Sequence, residues 1–386
     1  MVLAKIETTP GEDSLPTPLL NAVLVENPNS GTTLNNVETN EVTGALDARA
    51  PLPGSANQNF TARVYVHGSG TAGTVAPEVD PFLRACGMTP TALTAAVTGV
   101  AADATASTIQ LQGTASAVDE FYRGMPITIT AGPGLGQTRM IYSYNGTTKT
   151  AIVVPDFTAG SLPDDTSEYE IPPNHSYRPV STGIPTATIY EYLFPTDNGD
   201  VVLRRHTGAA GTFTATWAPN EAPAFEFTMT GSLNLPQDVP QAGIAKPDYQ
   251  DTRPPPFLDA LFVHLDGVPI ALSSLSYDAN NTVTQVPNAL QEFGLDISVI
   301  TRRRSNGSLQ SGLFRQAERD VFDSWKNGTE SDMVVMYGSQ PGNRIAILVD
   351  AMVFNGATDQ NFNELVYVDT PYAVNRENAG ITITFY

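Results

Sequence analysis

The chain has 386 residues, 40 of them acidic and 20 basic, giving a formal charge of −20, and it has a single cysteine. That length allows two or three compact domains. The charge argues against a protein that wraps nucleic acid, which needs cations to displace counterions from phosphates, and one cysteine excludes an internal disulfide framework or a Cys-based metal cluster. Only 16% of residues are charged; Thr, Ala, Gly, Pro, Asn and Val are plentiful, a mix that favours short strands and turns over long helices.

Residues 1–36 are rich in Pro, Asn, Thr and Gly around one apolar patch, PLLNAVLVEN, and read as an extended arm or edge strand. The stretch TNEVTGALDARAPLPGS (39–55) is too apolar for a solvated linker and too aperiodic for a core element. FTARVYVHG (60–68) alternates, with Phe60, Ala62, Val64 and Val66 on one face, and predicts a half-buried strand. A short helix is expected over Pro77–Cys86, where Val79, Phe82, Leu83 and Cys86 recur at helical spacing. Pro77 suits its first turn, and Gly87 suits the left-handed position after its end. Cys86 reads as a buried small hydrophobe rather than a nucleophile.

Composition shifts near residue 97. TIQLQ, PITIT, TRMIYSY and KTAIVV predict four strands, the last two joined by a turn at Asn145-Gly146. Residues 97–171 are expected to be a small all-β module inserted into a main domain made of 1–96 and 172–386; the acidic, Pro-bearing LPDDTSEYEIPPNHS marks its exit. The main domain resumes with the period-two runs IPTATIYEYLF, GTFTATWAP and AFEFTMTGSLNL. A Pro-rich extended crossing follows, and then strands at FVHLDGVPIAL and FGLDISVITRRR. SGLFRQAERDVFDSWKNG (311–328) predicts the longest helix. Leu313, Phe314, Ala317, Val321, Phe322 and Trp325 form its stripe, Ser311 its cap and Gly328 its end. NRIAILVDAMVF and ITITFY close the chain as strands, the last expected to be packed. About a dozen strands and two helices result. The expected class is mainly β: a β-sandwich or rolled sheet with a flanking α-helix, plus the inserted β module.

Chemistry leaves few marks. His67, His175, His206 and His264 are scattered singly, outside any metal-binding spacing, and no G-x-S-x-G elbow occurs. GPGLGQT (132–138) lacks the Lys-Ser/Thr ending of a phosphate loop and reads as a Gly-rich turn; LPDDTSEYE lacks the alternation of a calcium loop. Neither an enzymatic activity nor a cofactor is expected. Arg302, Arg303 and Arg304 form a cationic cluster in an acidic chain and are candidates for ionic contacts between subunits. The N-terminus lacks the apolar core of a signal peptide, and no run approaches the ~20 apolar residues of a membrane span, so a soluble protein made in the cytoplasm is expected.

ETNEVTGALDARAPLPGS, PEVDPFLRACGM, SYRPVSTGIPTATIYEYLFPTDNGDVVLRRHTGAAGTFT with APAFEFTMTG, the helix GLFRQAERDVFDSWKNG and the closing ITITFY resemble the major tail tube proteins of long-tailed bacteriophages with non-contractile tails. The glycines from Gly208 to Gly211 match that family's turn before a strand, and the likeness covers most of the chain outside 97–171. The resemblance implies a homohexameric ring whose sheets join and whose copies stack into a tube. Partners would be the protein itself, other tail proteins at the tube ends, and double-stranded DNA in transient passage. It also implies the virion tail as location, assembly in the bacterial host cytoplasm, and no membrane insertion. The 44–59 loop then becomes the contact between stacked rings, with Leu46, Asp47, Arg49, Pro51, Leu52 and Pro53 as candidates and the N-terminal arm as a second contact. The inserted module would decorate the exterior. Carboxylates on the lumen would repel phosphates within ~8–10 Å, although solubility alone also accounts for the charge. The alternatives are a β-rich carbohydrate-binding or glycan-processing virion protein, or another tail ring protein such as a terminator or baseplate component.

Overall fold

A helical segment with period-two neighbours on both sides needs a sheet to cover, and the Asp80–Ala85 helix meets that need. Phe82 lies against Phe60 and Phe227, with ring centroids 6.1 and 5.1 Å apart. The computed structural model describes residues 1–39, 41, 42, 44, 49–196, 199–219, 221–250, 252–257, 260–313, 320–362, 365–378 and 380–386. The chain is mainly β, 51% strand and 6% helix, with several sheets and three short helices. The described residues form twenty-eight strands, many more than the dozen expected, and a few are as short as Ala22–Val23.

A nineteen-stranded sheet takes its strands from both sides of the 97–171 segment. Phe60, Ala62 and Val64 are buried, as their alternation requires, on a strand that runs from Leu52 to Tyr65. That strand pairs with Ala224–Leu233 on one side and with Glu26–Val37 on the other. Residues 52–59, expected in a loop, are therefore part of the strand. Ile345–Phe354 lies between Ser331–Tyr337 and Ile381–Phe385, and Ile381–Phe385 in turn pairs with Asn174–Pro179. Both faces of Ile345–Phe354 are covered, so its run is apolar rather than alternating. Tyr386 is buried, as expected of a packed end.

The first residues are not an arm. Val2–Ile6 pairs with Ala187–Leu193 on one side and Ala22–Val23 on the other, with Val2, Leu3 and Ala4 buried. Glu7 fixes the end of this strand. Its buried carboxylate accepts from Gly11 N at 2.7 Å, Thr186 Oγ1 at 2.5 Å, Thr188 Oγ1 at 2.8 Å and Gly208 N at 2.7 Å. Four donors replace the water a buried charge loses. Gly208 has φ +60°, and a Cβ there would stand 3.0 Å from the Ile297 Cα. The Gly208–Gly211 stretch, expected as a turn before a strand, is instead a bulge within the seventeen-residue Val201–Trp217 strand.

Residues 97–171 supply a separate seven-stranded sheet, Val97–Val100 to Glu168–Ile171, around its own core of Ile109, Met125, Ile127, Ile141, Tyr144 and Val153. Its entry and exit are neighbours, since Met88–Leu93 pairs with Asn174–Pro179 and Leu93 faces Asn174. The GPGLGQT stretch is the connection between Pro126–Ala131 and Thr138–Asn145. One face of the insertion is docked: Met140 is buried with Val334, Met336, Ala346 and Leu348 of the large sheet. Arg123 of the insertion pairs with Asp350, side chains 17% and 3% exposed. Asp350 also accepts from Gly380 N at 2.8 Å, and Arg178 donates to the Glu120 carbonyl across the same seam.

Within the expected helix over 311–328, the described residues are helical over Val321–Asn327, and residues 314–319 lie outside the described residues. Ser311 belongs instead to the Asn306–Gly312 strand, facing Val368, and Asp320 is the cap, accepting from Asp323 N. Gly328 ends the helix in the left-handed region as expected. Of the described stripe side chains, Leu313 is exposed, and Phe322 and Trp325 are 69% and 57% exposed. Phe314 and Ala317 lie outside the described residues.

Candidate functional site

The Glu26–Val37 strand is an open edge. It spans twelve residues, about 40 Å of extended chain, is exposed along nearly all of its length, and pairs with no described strand other than Leu52–Tyr65. A row of free N–H and C=O groups of that length is a template for another chain. Beyond Ala56, whose N–H still reaches the Phe293 carbonyl at 3.1 Å, the two strands continue as an arm ending in the 38–51 connection. Val37 faces Leu52 in register, and both are exposed, as are Leu34 and Val42. Of the candidate contact residues, Pro51, Leu52 and Pro53 are exposed on this arm, and Arg49 is exposed and paired with Glu41 at 2.6 Å. Leu46 and Asp47 lie outside the described residues.

The three adjacent arginines divide. A strand turns successive side chains to opposite faces, so Arg303 points inward while Arg302 and Arg304 are exposed. Arg303 donates to Asn281 Oδ1 at 3.1 Å, to the Gly87 carbonyl at 2.8 Å and to the Val180 carbonyl at 3.3 Å. It fills the space a Cβ on Gly87 would need; Gly87 has φ +82°. Burial lowers its pKa, opposed by Tyr277 and Cys86. Arg303 is thus spent on intramolecular structure, which leaves Arg302 and Arg304 as the exposed members of the cluster. These two, with Arg303 and Arg376, line a cleft of about 800 Å³ whose wall also holds Ile300 and Val374. Arg376 comes from the turn after the Leu365–Val374 strand and pairs with Glu330. Sequence reasoning missed it because some seventy residues separate it from the cluster and only the topology brings them together.

The histidines stay apart. His67 contacts Thr252 Oγ1 at 2.9 Å, His175 faces Phe385 in register on the neighbouring strand, and His264 lies edge-on to Phe262. Among the described residues, no three His, Cys, Asp or Glu side chains converge as a metal site. Cys86 is fully buried, 3.7 Å from the Met229 sulfur, and burial pushes its thiol pKa up, against the pull of Arg303; it is an inert core residue. No helix among the described residues is long and apolar enough to cross a membrane.

His206 has a thermodynamic role. It is 1% exposed, 3.1 Å from Ser30 Oγ, which itself donates to Glu191 at 2.6 Å. Burial, with Arg204 nearby, lowers its pKa from 6.5 to about 4. Between those values the unfolded chain binds the proton and the folded chain does not. The neutral ring's contribution is complete above pH 6.5 and is lost as pH falls toward 4, by roughly 3 kcal/mol. Urea unfolding of His206→Asn should therefore show a smaller loss of stability between pH 7 and 4.5 than the native chain. Equal losses would remove His206 from the account.

The chain matches no family model and no curated protein sequence.

Proposed function

We propose that this protein is a structural, self-assembling subunit that joins identical copies into rings and stacks the rings into a tube, in the manner of the phage tail tube proteins its sequence resembles. The observation that carries the reading is the Glu26–Val37 edge, long, exposed and paired on one side only among the described strands, running into an arm with exposed apolar side chains. A strand rim of that length is a hazard to a lone molecule and is relieved when a neighbour pairs with it. The exposed Phe322 and Trp325 are a second surface suited to burial by a partner. In this reading the sheets of the main domain form a sandwich or rolled sheet in each ring. The 97–171 sheet stands on the exterior, and the acidic balance keeps DNA sliding through the lumen without adhering.

Purified protein examined by negative-stain microscopy should give rings or filaments; strictly monomeric protein at high concentration would overturn the reading. Because Leu93 and Asn174 face each other in register, residues 94–173 can be replaced by an Asn-Gly turn, with polar residues at Val334, Met336 and Leu348 where the insertion docks. This shortened chain should still assemble. Loss of assembly, with saccharide binding found in the full chain, would favour a glycan-binding protein instead.

A further inference from the structure

The geometry points to the cleft around Arg302 and Arg304 as a socket for the Val37–Leu52 arm of a second copy, with arm carboxylates seated on the two guanidinium groups. The inference rests on the self-assembly reading and names the two surfaces that meet.

Charge is the first argument. In a chain of net charge −20 with 20 basic residues, four arginines line one cleft. Arg303 is satisfied internally and Arg376 is paired with Glu330. Arg302 and Arg304 are exposed and form no ion pair among the described residues. Glu377 is the one acid on the described wall. Two unpaired guanidinium groups in a recess favour a carboxylate or phosphate, which accepts from both N–H groups of the fork.

Shape and apolar content select between those anions. The cleft holds about 800 Å³, a volume suited to a peptide segment or small ligand. A duplex is about 20 Å wide, too broad to enter such a recess, and its phosphates also meet an acidic surface. The wall includes Ile184, Ile300 and Val374, which a phosphate backbone would leave unfilled. The arm offers both chemistries at once. Val37 and Leu52 form an exposed cross-strand apolar pair, and Glu38 and Glu41 follow on the same exposed connection. Among the described residues, Glu41 is held only by its exposed pair with Arg49. Such exposed pairs contribute little, so exchange for a cleft arginine costs little. Pro51–Gly54 and Leu34–Val37, the described ends of the two arm strands, are exposed.

The test is a charge exchange. R302E/R304E should raise the concentration needed for assembly by about tenfold or more, and E38K/E41K should do the same, since like charges then face each other. The variant carrying all four changes should assemble near the native concentration. Sedimentation velocity reads the result, with thermal unfolding as the control for folding and R302Q/R304Q as a milder second variant. Native protein that never assembles overturns both this inference and the reading it rests on. Native assembly with unaffected charge variants, or with no recovery in the four-change variant, overturns the socket and leaves self-assembly standing. Retention of a duplex DNA oligonucleotide by native protein, lost in R302E/R304E, would assign the cleft to phosphate and overturn the carboxylate.

Discussion

Replacing Asp350 by Ala should lower the free energy of unfolding by about 3–5 kcal/mol, the penalty for leaving one member of a buried ion pair without its partner. Asp350 and Arg123 are 3% and 17% exposed on the side chain, and the pair sits where the inserted sheet meets the large one. Asp332, within electrostatic reach, and the Tyr142 ring, 5.9 Å away, also favour the Arg123 charge, but Asp350 is the carboxylate paired with it. Arg178 lies close enough that the two guanidinium groups oppose each other, so Asp350 neutralises a cationic seam. Gly380 N also loses its acceptor. The substitution is expected to loosen the insertion as well, raising hydrogen exchange in Thr138–Asn145, which packs on the seam. The paired replacement R123M/D350L should recover most of the loss, because well-packed apolar groups replace a buried ion pair at little net cost. A loss under about 1 kcal/mol for Asp350→Ala would mean that water already solvates the pair.

Replacing residues 38–51 by an Asn-Gly turn should leave the subunit folded and abolish stacking. Val37 and Leu52 face each other in register, so two residues close the hairpin. The removed segment lies beyond the last buried residue of the arm, Ala56, and surface changes of this kind shift stability by about 0.5 kcal/mol. The cut must stop before Leu52: a deletion running on to residue 56 would remove paired strand and the buried Ala56. Sedimentation velocity and negative-stain images of the shortened chain provide the check. Filaments indistinguishable from those of the native chain would end the proposed role of the arm.

Period-two alternation made Phe60, Ala62 and Val64 readable as one face of a strand, and Phe82, Leu83 and Cys86 readable as the buried side of a short helix. The Glu26–Val37 strand gave no such signal. Its ENPNSGTTLNNV has Pro, Gly and four Asn, poor strand formers, and it is ordered by pairing with Leu52–Tyr65 rather than by propensity. The start of the helix expected over 311–328 was misplaced because apolar spacing alone cannot say where a strand stops: Ser311 is claimed by a ladder with Val368. Phe322 and Trp325 of its stripe lie on a helix as expected but are exposed. At the cleft, the charge cluster was visible as a run of three. Strand alternation could have separated Arg303 from its neighbours, whereas Arg376 and the four donors around Glu7 depend on contacts across the whole sequence.

The large sheet interleaves segments made early and late in synthesis. Val2–Ile6 waits for Ala187–Leu193, and Ile345–Phe354 waits for Ile381–Phe385. A growing chain on the ribosome therefore holds Val2–Ile6 with only the short Ala22–Val23 beside it until Ala187–Leu193 is made, and Asn174–Pro179 without Ile381–Phe385 for longer still, a slow route dominated by distant pairings. Throughout that interval the sticky rim near the N-terminus is already outside the exit tunnel. Premature joining of half-made molecules is the danger, and a chaperone that shelters the nascent strands should raise the yield of folded protein.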